Sequence, residues 1–384
     1  MKNKTLQEQI DEFYKKTGFQ LKVKNGRPCY DGYLNLNGTK IGELPENLVV
    51  NGNLDLYGTK ITKLPENLVV GGYLDLYKTK ITQLPDNLIV GGHLNLEGSK
   101  ITKLPKNLIV GGWIDLYGVK VTELPENLVV GGYLNLVNTK ITKLPDNLIV
   151  GGCLDLDDTD IASLPENLVV EGSLFLKYTK VTELPESLVV GHSLDFRGTQ
   201  ISSLPNNLVV GGIIYGITYE PRTPILTEDA KEKLKKIRDF LQWNVGGKTY
   251  IKIDGIFSVV DNHKGNVWVV HRVAEDETWY IVTDGEGHYA HGATLKEAKA
   301  DLIYKINDRD TSSYEHLSLD DEVSFTEAIA MYRTITGACS AGTRDFIENR
   351  LPKPHKERYS IKEIINLTKG EFGSESLMDF FQDK

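Results

Sequence analysis

Cysteine is nearly absent. Cys29, Cys153 and Cys339 are the only three in 384 residues, odd in number and far apart. That argues against a disulfide framework and fits a reduced compartment, the cytoplasm. Long hydrophobic runs are missing too. No stretch is long enough to span a bilayer, and the opening MKNKTLQEQIDEFYKK lacks the apolar core a secretory signal needs. Export by a signal-independent route stays open. Nor is there a surplus of positive charge: 44 Lys and Arg stand against 53 Asp and Glu, a net charge of −9. Generic binding to nucleic acid or anionic membrane is therefore not expected. No glycine-rich nucleotide loop, hydrolase elbow or zinc signature occurs, so neither cofactor nor metal is expected.

What the sequence does contain is one twenty-residue unit repeated nine times without insertion. Copies start at residues 31, 51, 71, 91, 111, 131, 151, 171 and 191, and Gly211-Gly212 opens an incomplete tenth. A fixed short period implies one coil per copy, each burying its neighbour's apolar side chains. In the copy at 71–90, Leu74-x-Leu76 alternates with period two, as a strand with inward leucines does. Thr79 and Ile81 continue inward, Leu84-Pro85 turns the chain, and Asn87-Leu88-Ile89-Val90 returns along the other side. The glycines at 71 and 72 suit a tight corner. Upstream, residues 5–17 read as a helix with Thr5 as N-cap, placed to cover the open end of the array.

The segment Leu74-Asp-Leu-Tyr-Lys-Thr-Lys-Ile-Thr-Gln-Leu84-Pro85 resembles the short leucine-rich repeat, and the likeness covers nearly half the chain. The resemblance implies a solenoid with parallel strands on its concave face and little helix. A three-sided parallel β-helix is the rival architecture. The family places Asn where Thr79 stands, and a hydroxyl with less reach implies a weaker ladder between coils.

If the leucines face inward, the alternating positions line the concave face. The first column runs through Tyr33, Asn53, Tyr73, His93, Trp113 and Tyr133. The middle column includes Asp55, Asp75, Asp115 and Asp155, and the third includes Tyr57, Tyr77, Glu97 and Tyr117. Retained carboxylates among aromatics point to an electropositive protein partner, because Tyr and Trp commonly anchor interfaces. Candidate binding residues are Tyr57, Tyr73, Asp75, Tyr77, His93, Trp113, Asp115, Tyr117, Tyr133 and Asp155. The run Asp155, Asp157, Asp158 and Asp160 reads as an acidic patch, with a hard-cation site as the alternative.

After residue 225 the period is lost. Three segments are expected: a cap over 1–30, a solenoid with its C-terminal cap over 31–225, and an α+β domain over 226–384. In the last, helices are expected at 228–242, 294–307 (with a Thr294/Glu297 capping box), 325–336, 341–350, 360–368 and 374–382. Strands are expected at 248–260, 266–273 and 278–284, with turns at 261–265 and 284–287. This domain resembles an uncharacterised module of phage and mobile-element proteins, which would make a host defence protein the target. Gly292, Thr294, Glu297 and Ala298 resemble the small antitoxin fold.

Cys339-Ser-Ala-Gly-Thr-Arg344 resembles the phosphate loop of cysteine phosphatases, but four residues intervene where that loop has five. The domain order also resembles bacterial effector ubiquitin ligases, whose Cys-x-Asp motif is missing here. Cys339 and Arg344 are thus the outside candidates for an enzyme, set against a cysteine packed as a small apolar residue. His271, His288 and His291 do not share a face that would make a metal set. The favoured reading is a non-enzymatic adaptor or inhibitor that grips a basic protein surface.

Overall fold

Every copy of the repeat closes into a coil carrying two short strands. A computed structural model describes residues 4–216, 227–245, 247–273, 275, 277–306, 309–349, 351–369, 371 and 373–382. The chain divides into two compact units, residues 1–247 with 273–275, and residues 248–272 with 276–384.

In the first unit the Leu-x-Leu dipeptides, from Leu34–Asn35 to Ile214–Tyr215, form a ten-stranded parallel sheet. The Val-Val or Ile-Val dipeptides, from Val49–Val50 to Val209–Val210, form a second sheet, eleven-stranded and parallel except at its edge, where strand 27–30 joins in parallel and strand 22–24 pairs antiparallel with it. The fold is a parallel-strand solenoid with little helix, as the resemblance implied, in which both runs of each coil pair with their neighbours. Its core lies between the sheets: in the coil at 71–90, Leu74, Leu76, Ile81, Leu88 and Val90 are all fully buried. Burying each such side chain is worth about 1.5–3 kcal/mol, and a single coil has nothing to bury them against.

The ladder between coils is carried by backbone bonds, and threonine adds none to it. Leu74 N donates to His93 O at 2.8 Å and Leu76 N to Asn95 O at 2.9 Å, while Gly71 N reaches Val50 O at 2.8 Å on the other side. The Thr79 hydroxyl instead donates to Leu76 O within its own coil at 2.8 Å, and Thr39, Thr59, Thr139, Thr159, Thr179 and Thr199 repeat this bond. It closes the turn that follows the strand. The corner glycines also have a different reason from the expected one. A Cβ on Gly71 would lie 2.2 Å from Asn51 O, and one on Gly91 2.3 Å from Gly71 O. Close approach of successive coils, not φ, requires them.

The eighth position of each coil is left-handed throughout. Gly38, Gly58, Gly98, Gly118 and Gly198 take it without cost, and Asn138 and Asp158 with little; Lys78 (φ 54°) and Tyr178 (φ 60°) are strained there.

Helix α1 (Leu6–Thr17) caps the array. Thr5 and Glu8 make a reciprocal capping box, and Ile10 and Phe13 enter the core. Helix α2 spans Glu228–Asp239. The expected helix to 242 is corrected, because the chain becomes a strand at Phe240. Ala230 and Leu234 pack on Val189 and Val209, and Trp243 Nε1 donates to Val129 O at 3.1 Å. Residues 228–245 therefore cover apolar outer positions of the Val-Val sheet.

The second unit is α+β. Strands Lys248–Ile253, Ile256–Lys264, Val267–Arg272, Thr278–Thr283 and Tyr289–Gly292 form an antiparallel meander. The single strand expected at 248–260 is corrected to two. Asp254 (φ 48°) and Gly255 (φ 80°) form a two-residue hairpin turn with both φ positive, the conformation Asp-Gly favours. The turn expected at 261–265 is also corrected: Asp261 is a bulge, and the strand runs on to Lys264. Helices α3 (Leu295–Ile306), α4 (Phe325–Thr336), α5 (Ser340–Asn349), α6 (Ile361–Leu367) and α7 (Ser374–Gln382) follow. Glu297 N bonds to Thr294 Oγ1 at α3, while its carboxylate accepts from Ala293 N rather than Thr294 N.

Candidate functional site

The outward side of the Leu-x-Leu sheet is built by strict alternation. Leu74 and Leu76 are buried, so residues 73, 75 and 77 stand outward and half-exposed; the equivalent positions are half-exposed or exposed except Asp157 and Asp195, which are buried. Three rows result. In the middle row the first reason for Asp or Asn is structural: its Oδ1 accepts the amide two residues on. Asp55 serves Tyr57 N (2.8 Å), Asp75 serves Tyr77 N (2.8 Å), Asn95 serves Glu97 N (3.0 Å) and Asp115 serves Tyr117 N (2.9 Å). Asn makes this bond as well as Asp, so the bond accounts for the row and leaves the charge unexplained.

That charge is held at a cost. Asp55 and Asp75 are register partners in adjacent coils. Burial pushes the Asp75 carboxyl above the usual carboxylate range, with the charge of Asp55 adding to it; burial likewise raises Asp155. Tyr133 Oη donates to Asp155 Oδ2 at 3.0 Å and Tyr33 Oη to Asp55 Oδ2 at 3.1 Å. Burial pushes the Tyr73 hydroxyl up to about 12 and raises that of Tyr133 as well.

Aromatic rows flank these carboxylates. On one side His93 lies 4.6 Å from Trp113 and 6.3 Å from Tyr73, and Tyr73 lies 6.2 Å from Trp113, centroid to centroid. His93 Nδ1 accepts Trp113 N at 3.1 Å, which places the ring proton of the neutral imidazole on Nε2. On the other side Tyr57 and Tyr77 stack at 5.3 Å and 12°, with Lys78 Nζ 4.7 Å above the Tyr77 ring. Tyr117 continues that row and is exposed. The face is an acidic floor between two aromatic rails.

Further along, the run of aspartates is answered by lysines of the next coil. Lys177 Nζ pairs with Asp157 at 2.8 Å and Lys180 with Asp160 at 2.7 Å. This accounts for the run as an acidic patch with its own counter-ions.

In the second unit, Cys339 and Arg344 have separate surroundings. Arg344 is exposed and pairs with Glu297 at 3.6 Å. Cys339 is 2% exposed and packs with Val282, Ala290, Ala298 and Leu302. Its position just before α5 does not lower the thiol: burial pushes it up to about 11. The three histidines are divided among separate acids. His271 takes Asp261 (2.9 Å) and His288 takes Asp284. His291 lies 3.8 Å from Cys339 Sγ and 3.9 Å from Asp254 Oδ2, through Nδ1 in both cases. Sequence reasoning missed this grouping because residues 254, 291 and 339 come from a hairpin turn, a strand and a helix start, with no local spacing to find.

No family model matches the sequence. No curated protein matches it either. Among solved structures, the chain is similar to YopM from Yersinia enterocolitica WA-314, at 23% identity and a TM-score of 0.27. The alignment covers 51% of this chain and 54% of that one, so the chain spans about half the length of its match. No helix of the described residues is long and apolar enough to cross a membrane.

Proposed function

We propose that the protein is a non-enzymatic adaptor or inhibitor whose solenoid grips a basic segment of a partner protein along the outward side of the Leu-x-Leu sheet. The observation that carries this reading is the set of carboxylates at Asp55, Asp75 and Asp115 along the aromatic rows, with Asp155 at their end beneath the Tyr133 hydroxyl. An Asn would serve the backbone equally well, and burial disfavours the charge at Asp75 and Asp155. A Lys or Arg side chain entering the row supplies the missing counter-charge and lies against ring faces, where cations are attracted.

Two further features support it. Residues 228–245 cover part of the opposite sheet's outer side, whereas Tyr117 and its neighbours keep theirs accessible. Lys78 and Tyr178 occupy left-handed positions that most coils give to Gly, Asn or Asp, and strain kept against an easy alternative often marks a working surface. A host defence protein as the target rests on the sequence resemblance of the C-terminal domain alone. A cysteine-nucleophile enzyme gains no support from Cys339, whose thiol is buried and held protonated. The test is capture of the partner by the wild-type chain and by a chain with Tyr77, Trp113 and Tyr117 all replaced by alanine.

A further inference from the structure

We infer that Asp254, His291 and Cys339 form a zinc-binding site inside the second unit. Their ligand atoms (a carboxylate oxygen, Nδ1 and Sγ) all lie within 4.8 Å of one another. Two readings compete for such a trio, and the ring nitrogens decide between them. A catalytic Cys-His-Asp relay uses both nitrogens of the imidazole, one facing the sulfur and the other the carboxylate. Here Sγ and Asp254 Oδ2 approach the same atom, Nδ1, at 3.8 and 3.9 Å. Convergence on one nitrogen is what a shared ion requires. Tetrahedral zinc with ordinary bond lengths separates sulfur from nitrogen by about 3.5 Å and nitrogen from oxygen by about 3.3 Å. Sγ and Oδ2 stand about 0.3 and about 0.6 Å further from Nδ1 than that spacing, a gap that small side-chain rotations close.

The surroundings agree. The Asp254 and His291 side chains are 5% and 2% exposed, closed to a macromolecular substrate but suited to an ion. Backbone amides of Gly342 and His291 donate to Sγ, the former at 3.3 Å, as amides do to a metal-bound thiolate. Lys305 Nζ bonds to Asp254 Oδ2 and to Tyr289 O, each at 2.9 Å, and fixes the carboxylate from the outer shell. A Cβ on Gly292 would meet Ala298 N at 2.4 Å, so this glycine lets α3 close onto the strand that carries His291. Beside Cys339, Asp254 and Glu371 is a pocket of about 20 Å³, room for one water as fourth ligand. Sulfur, imidazole and carboxylate together select zinc over calcium or magnesium. Thiolate and carboxylate bring two negative charges, the carboxylate being shared with the Lys305 ammonium, so the loaded site keeps one net positive charge, and binding releases the thiol proton to solvent.

Cobalt(II) tests the assignment, since a thiolate ligand gives it a near-ultraviolet charge-transfer band. The full chain carrying Cys29→Ala and Cys153→Ala leaves Cys339 as the sole thiol. The band is expected to saturate at one equivalent, to be displaced by zinc, and to vanish on adding Cys339→Ser. His291→Gln is expected to weaken cobalt binding by more than about tenfold. Absence of the band in the Cys29/Cys153 variant with native circular dichroism overturns the site, and so does a band that survives Cys339→Ser.

Discussion

The Tyr133 hydroxyl donates to Asp155 Oδ2 at 3.0 Å, linking the first row of one coil to the middle row of the next, and Tyr33 makes the same bond to Asp55. The bond supports a carboxylate that burial disfavours. Tyr133→Phe is expected to destabilise the solenoid by about 1 kcal/mol, an ordinary hydrogen-bond loss reduced for partial solvent screening. Asp155→Asn in the same chain should remove most of that cost. Urea unfolding of the two single variants and the double variant measures the coupling.

Asp75 has a pH signature. Its folded pKa is raised, so its contribution to stability is fully present below the unfolded carboxylate value and is lost as pH rises through the folded value. Asp75→Asn keeps an acceptor for Tyr77 N and is expected to be more stable than wild type at pH 7. The gain should disappear once the solution falls below the ordinary carboxylate range. Thermal unfolding followed across that window checks the sign; a gain that grows on acidification contradicts it.

Strain at the eighth coil position gives a third expectation. Lys78→Gly relieves a left-handed φ of 54° and should raise the unfolding midpoint. The same change removes the ammonium above the Tyr77 ring. If Lys78 is kept for the partner, the variant is more stable and binds differently.

Cys339 should be inert. With its thiol buried and pushed up to about 11, iodoacetamide at neutral pH is expected to label the half-exposed Cys153 first and Cys339 only on unfolding. Peptide mapping after a timed pulse reads the order.

The nine-fold period was enough to read the coil, its inward leucines and the three outward rows. The second parallel sheet was legible but unread. Val69-Val70 or Ile109-Val110 puts apolar residues on both faces of a strand, a sign that both faces are buried, and residues 228–245 supply part of that cover. The strand break at Asp254-Gly255 was also written in a favoured turn pair. Other features were not legible. The hydrogen bond that makes Asp and Asn equivalent in the middle row depends on strand geometry, and the meeting of Asp254, His291 and Cys339 depends on the tertiary fold.

Capture from lysate, with the bound protein identified by mass spectrometry, tests the binding face most directly. The wild-type chain should retain a partner through a Lys- or Arg-rich segment. The Tyr77→Ala, Trp113→Ala, Tyr117→Ala chain, still folded by circular dichroism, should lose it, because each interfacial anchor is worth about 2 kcal/mol or more. Undiminished capture by the triple variant would contradict the account.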